Sequence, residues 1–172
     1  MRFFLDTEFI ESGPFAPIQL VSIGIVSELG NEFYAVSSQF DAISANDWVR
    51  VNVLPHLGIA GTPLSEIRSK VLEFIEENAL HNSDGTKSRF DSGPEFWGYY
   101  ADYDWVVFCQ IFGAMIDLPK GWPLYCRDLK QWCDALGNPK LPDQISTEHN
   151  ALNDARWNRR IYDFLKERKS SI

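Results

Sequence analysis

The chain has 172 residues, 45% of them hydrophobic and 14% aromatic, and a formal net charge of −8 at pH 7. That length and apolar content suit one domain with a substantial core and exclude a disordered chain. No run of about 18 apolar residues offers a membrane-spanning helix, and acidic residues come too early for a secretory signal peptide, so a soluble cytoplasmic protein is expected.

The elements can be read in order along the chain. "RFFLDTEF" and "IQLVSIGIVSE" are strand-like, rich in β-branched and aromatic residues, and "NEFYAVS" follows after Leu29 and Gly30. Their short connections predict an antiparallel meander. "DWVRVNVLPHL" reads as a short helix stopped near Pro55. In "PLSEIRSKVLEFIEEN" the apolar positions Ile67, Val71, Phe74 and Ile75 have the three-and-four spacing of an amphipathic helix. "HNSDGTKSRFDSGP" is loop-like, with Gly85, Gly93 and Pro94 as breakers. Beyond it "EFWGYYA" reads as a strand, "DYDWVVFCQIFGAM" as a helix, "WPLYC" as a short strand and "RDLKQWCDALG" as a helix ending at Gly137. A proline-bearing loop leads to a last helix, "NALNDARWNRRIYDFLKERK". Strands first, then strands alternating with helices, predict an α/β fold with a mixed sheet flanked by helices. Cys109, Cys126 and Cys133 have neither an even count nor a CxxC spacing, so no disulfide or zinc site is expected; Cys109 and Cys133 fall in helical patterns and should pack as small hydrophobes.

The acidic charge argues against a long duplex as partner, since nonspecific duplex binding relies on basic surface. Acids that hold divalent cations would reverse the field locally, and a short single strand needs few phosphate contacts. Asp6 and Glu8 are the first such acids. At i and i+2 on a strand they project from the same face. Left in water they are an ordinary strand end, whereas a shared Mg²⁺ or Mn²⁺ would remove their repulsion. One DxE does not decide between these, so further carboxylates must converge on it.

In "YYADYDWVVF" a strand gives way to a helix. Asp102 suits a helix cap, while Asp104 shares a helix face with Phe108 and Ile111 that should pack toward the sheet. A carboxylate on an inward face needs a partner, and a metal at Asp6 and Glu8 would be one. In "EHNALNDA", His149 and Asp154 are five residues apart, about 140° around a regular helix, so one helix cannot aim both at the same point. If Asn150 caps the helix, His149 lies before it and Asp154 in its first turns, and both can reach one site.

"DTEF", "YADYD" and "HNALND", in this order, resemble the three motifs of the DEDDh 3′-to-5′ exonucleases of the ribonuclease H-like superfamily, and "DTEFIESG", "IQLVSIGIV" and "WVRVNVLPHL" resemble its compact bacterial and phage exoribonuclease branch. The resemblance spans about residues 1 to 165 and treats the chain, 1–172, as one exonuclease domain. It implies Asp6, Glu8, Asp104 and Asp154 as ligands of two divalent ions, Mg²⁺ or Mn²⁺, and His149 as general base. Tyr100 stands where many relatives carry Asn, and Asp102 competes with Asp104 for the middle position.

The implied reaction is in-line displacement at phosphorus, with the imidazole taking the proton of the attacking water. Apolar residues beside the site, Phe9 and Leu20, would contact the terminal base, although both also fit ordinary core positions. The expected substrate is short single-stranded RNA or a 3′ overhang, released as nucleoside 5′-monophosphates. Related small exoribonucleases are often dimers, so a homodimer is a further expectation, and Trp48 and Trp97 could serve either an interface or the core. Three other readings compete. A single-strand DNA exonuclease differs only in substrate. A haloacid-dehalogenase-like phosphatase would want DxD where this chain has DTE. An RNA-binding module without cleavage would not need all five polar positions.

Overall fold

A computed structural model describes residues 1–79, 93–145 and 148–169. One mixed sheet of five strands has the order β3-β2-β1-β4-β5, formed by β1 (Arg2–Ile10), β2 (Gln19–Ser27), β3 (Glu32–Val36), β4 (Glu95–Gly98) and β5 (Arg127–Asp128). The first three make the expected antiparallel meander. β4 is parallel to β1, and β5 to β4, as is usual for strands reached through helical crossovers. The helices are α1 (Asp47–Asn52), α2 (Leu64–Ala79), α3 (Asp102–Phe112), α4 (Leu129–Ala135) and α5 (Ala151–Lys169).

The apolar run of β1 is sorted by strand alternation. Phe3 and Leu5 pack with Ile67, Val71 and Ile75 of α2 and Phe108 of α3. Phe4 faces the opposite layer, against Leu129 and Cys133 of α4 and Ile161 and Leu165 of α5. A strand covered on both faces should read as continuous apolar sequence at its start, and "RFFL" does. Each of these apolar side chains contributes about 1.5–3 kcal/mol through burial, so β1 is held firmly from both layers and is a natural base for a site. A third cluster, with Ile10, Val21, Val49 and Val53, ties α1 to the C-terminal end of β1.

Several boundaries differ from the sequence reading. The strand predicted over "EFWGYYA" stops at Gly98, because Tyr100 takes a left-handed backbone, φ +56°, which no strand continues. "WPLYC" contributes no strand: Leu124 and Tyr125 are exposed, and β5 begins only at Arg127. α3 stops at Phe112 before Gly113, φ +124°, and Met115–Asp117 form a separate 3-10 turn. Most of the "HNSDGTKSRFDSGP" segment lies outside the described residues. Cys109 and Cys133 are free and buried, as expected.

Two features shape the C-terminal end of β1. β4 is so short that its pairing with β1 ends at Phe4↔Trp97, and from Leu5 onward that edge is taken over by helices: Asn158 of α5 donates to the Leu5 carbonyl at 2.9 Å. On the β2 side, a bulge opposite the Glu8–Phe9 step admits Val21 as an extra residue, a distortion that strands often carry beside functional sites.

Candidate active site

Asp6 and Glu8 leave β1 on the face that carries Phe4 and α5. α5 brings Asp154 down onto them, and Gly24 makes the descent possible. It pairs with Asp6 across the sheet, and a Cβ there would stand 2.2 Å from the Ala151 carbonyl oxygen; only a residue without one fits beneath the first turn of α5. One carboxylate oxygen from each of Asp6, Glu8 and Asp154 then lies within 4.8 Å of the others.

Asp104 arrives from the other layer. It is 7% exposed, on the α3 face that also buries Phe108 and Ile111, as its spacing predicts. Its Oδ1 accepts the Thr7 N–H at 2.8 Å and the Thr7 hydroxyl at 2.7 Å. These bonds satisfy a backbone donor on the β1 edge that β4 does not reach. Asp102, the rival, is exposed in the first turn of α3 and does not cap it. The N-cap is Ala101, without a side-chain cap bond, because the left-handed turn at Tyr100 starts the helix one residue before a cap at Asp102 could. The Ala101 N–H donates instead to Asp128 Oδ2 at 2.8 Å.

The electrostatics are those of acids gathered without a counter-charge. Burial, then the charges of Asp104, Asp154 and Glu8, hold the Asp6 carboxyl well above the usual range. Glu8 is pushed up to about 8 by burial and by Asp154 and Asp104. Burial raises Asp104 to about 6 against the pull of its Thr7 bonds, and raises Asp154 against the pull of Gln144. The cleft over these groups, about 690 Å³, has no Lys or Arg among its described lining residues. Oxygen donors at this density, with no cation of the protein's own, fit hard divalent ions such as Mg²⁺ or Mn²⁺.

His149 lies just before α5 with φ +62°. Asn150 Oδ1 accepts the Asn153 N–H at 3.2 Å and α5 starts at Ala151, so the histidine sits outside the helix and Asp154 in its first turn. Both line the cleft. Trp48, 51% exposed on α1, sets its ring edge-on to the imidazole with centroids 4.6 Å apart. Trp97, the other interface candidate, is half-buried against Trp132 and Tyr162. Gln144 Nε2 donates to Asp154 Oδ1 at 2.6 Å. Nothing in the periodicity marks Gln144 or Thr7. Thr7 could have been suspected as the residue between two facing acids, but Gln144 sits in a loop with no signature.

Phe9 lines the cleft and stacks on Tyr103, with ring centroids 5.6 Å apart and planes within 8°. Leu20 does not join it. Although it pairs with Phe9 across the strands, it is 6% exposed within the α2–α3 core and borders a separate apolar groove with Ile18, Leu64 and Val107.

Residues 1–165 match the family model described as the 3′-5′ exoribonuclease Rv2179c-like domain. The chain belongs to that family. It is 42% identical over 156 residues to the 3′-5′ exoribonuclease Rv2179c of Mycobacterium tuberculosis strain H37Rv, a match covering 91% of this chain and 88% of that one. The 3′-5′ exoribonuclease MT2234.1 of M. tuberculosis strain CDC 1551 matches equally, with 42% identity over 156 residues. This Rv2179c-like chain is a 3′-5′ exoribonuclease. Among solved structures, the zinc-bound E. coli ExoI–ssDNA complex superposes with a TM-score of 0.62 at 13% identity, over 98% of this chain and 41% of that one. The Mg²⁺- and Mn²⁺-bound form of S. pombe Pop2p gives a TM-score of 0.50 at 13% identity, over 98% and 82%. At this identity the likenesses are of fold alone. No helix among the described residues is long and apolar enough to cross a membrane.

Proposed function

We propose that this exoribonuclease acts in the cytoplasm on short single-stranded RNA or RNA 3′ overhangs, releasing nucleoside 5′-monophosphates one at a time. Asp6, Glu8, Asp104 and Asp154 hold two Mg²⁺ or Mn²⁺ ions, and His149 is the general base. The observation that carries this reading is the convergence of acids from a strand and two helices on one cleft with no Lys or Arg among its described lining residues. When bound, such ions supply a nucleophile at neutral pH and offset the charge that develops at the scissile phosphate.

The chain's own residues do the rest. β1, packed on both faces, keeps Asp6 and Glu8 in place against their mutual repulsion. Thr7 occupies one oxygen of Asp104 and Gln144 one of Asp154, which fixes each carboxylate's rotation and leaves its other oxygen for the ion. His149, on the rim with solvent access, takes the proton of the attacking water on an imidazole nitrogen. The bond broken is P–O3′, which leaves a shortened RNA with a free 3′-hydroxyl and a mononucleotide that carries the 5′-phosphate. Phe9, braced by Tyr103, offers an apolar wall to the terminal base. An acidic cleft, on a chain of net charge −8, disfavours a long polyanion and favours short substrates.

The test is time-resolved digestion of 5′-labelled RNA and DNA oligonucleotides of matched sequence, with free or phosphorylated 3′ ends, with and without chelator. A one-nucleotide ladder from free-ended RNA, blocked by a 3′-phosphate and by chelation, is expected. Equal cutting of circular and linear RNA would overturn the exonuclease reading, and faster loss of DNA would overturn the substrate claim alone.

A further inference from the structure

Tyr100 stands at the turn between β4 and α3, where the backbone is left-handed. A bulky side chain is rarely found there and is held at a cost in backbone strain. Packing does not repay that cost, since Tyr100 is 65% exposed. Its ring nevertheless has a definite seat. It meets Tyr99 at 76° with centroids 4.8 Å apart, and Tyr99 meets Trp157 of α5 at 65° and 5.2 Å. Trp157 is pinned in turn, its indole N–H donating to the Pro142 carbonyl at 2.9 Å. All three rings line the same cleft as the acids. An exposed aromatic braced by a second ring that is itself braced by a third, in a cleft with no Lys or Arg among its described lining residues, is the arrangement that grips a base by its face where side-chain cations do not grip phosphates.

We infer that Tyr100, backed by Tyr99 and Trp157, is a stacking platform for one of the two 3′-terminal bases of the RNA, and so sets affinity for short substrates. The inference rests on the exonuclease reading above. Base stacking is tolerant of sequence, so the platform gives this enzyme grip without base preference.

The experiment measures kcat and KM for full-length wild type, Tyr100→Ala and Tyr100→Phe in Mg²⁺ or Mn²⁺. The substrates are a short RNA and the same RNA made abasic at the last or at the next-to-last nucleotide. Tyr100→Ala should raise KM roughly tenfold, the loss of one base–aromatic stack, with the loss in KM rather than kcat. Tyr100→Phe, which keeps the ring, should restore most of it. On one of the two abasic RNAs, wild type should lose the same factor and Tyr100→Ala should lose nothing further. An alanine penalty that persists on both abasic RNAs, or that falls on kcat, would overturn the inference, as would no penalty at all. If wild type fails to shorten the intact RNA, the functional reading fails instead, which separates the two.

Discussion

Asp6, Glu8 and Asp104 stand on a strand and a helix buried in the core, whereas Tyr100, Gln144 and His149 stand on connecting segments, with Tyr100 and His149 in left-handed backbone. The contrast follows from what each group must do. Buried like charges repel and would splay apart on anything soft, so the acids at the floor need elements held by many apolar contacts. The rim groups are placed by one or two contacts each: a single hydrogen bond for Gln144, one ring neighbour for His149, one for Tyr100. Segments held so lightly can adjust to substrate, and the floor cannot.

The largest loss is expected at the floor. Asp6→Ala should lower turnover roughly a thousandfold or more, the several kcal/mol that a metal centre supplies, while circular dichroism shows the fold unchanged. Retained activity would mean the floor is not the reaction centre. Next, Asp104→Asn should cost about a hundredfold in kcat, and Asp102→Asn, which changes an exposed residue without a capping bond, should leave kcat and melting temperature within error. The reverse pattern would place the metal-facing acid on the wrong side of α3. At the rim, Gln144→Ala should weaken Mn²⁺ binding, read by calorimetry, about tenfold, as lost outer-shell support does; an unchanged affinity would detach Gln144 from the site. Smallest, Trp48→Ala should lower kcat several-fold, because the imidazole loses the ring packed against it. A change in KM alone would assign Trp48 to substrate contact instead.

The same division governs what could be read from the sequence. Periodicity exposes floor residues: the i, i+2 spacing of Asp6 and Glu8, and the inward helix face of Asp104, are consequences of regular backbone and were legible. Asn150 as a cap separates His149 from Asp154, since the cap fixes where regular backbone begins. Rim residues have no period. The Gln144–Asp154 bond joins a loop to a helix, the left-handed turn at Tyr100 cut short a predicted strand, and "WPLYC" looked like a strand although Leu124 and Tyr125 face solvent. Leu20 misled for the opposite reason: it is a regular strand residue beside Phe9, but α2 and α3 cover it.

If the floor is the proposed cation site, its acids are at odds with one another when no ion is bound. In the metal-free fold Glu8 holds its proton up to about 8, against an ordinary 4.5. Between those values the folded chain binds more protons than the unfolded one, so metal-free stability must fall as pH rises. The decisive measurement is the melting temperature across that pH range in chelator and in Mn²⁺, for wild type and Asp6→Ala. The expected result is a wild type that loses stability toward pH 8 in chelator and regains it with Mn²⁺, with a flatter, Mn²⁺-insensitive Asp6→Ala. Identical wild-type melting in chelator and in Mn²⁺ at pH 8 would contradict the account.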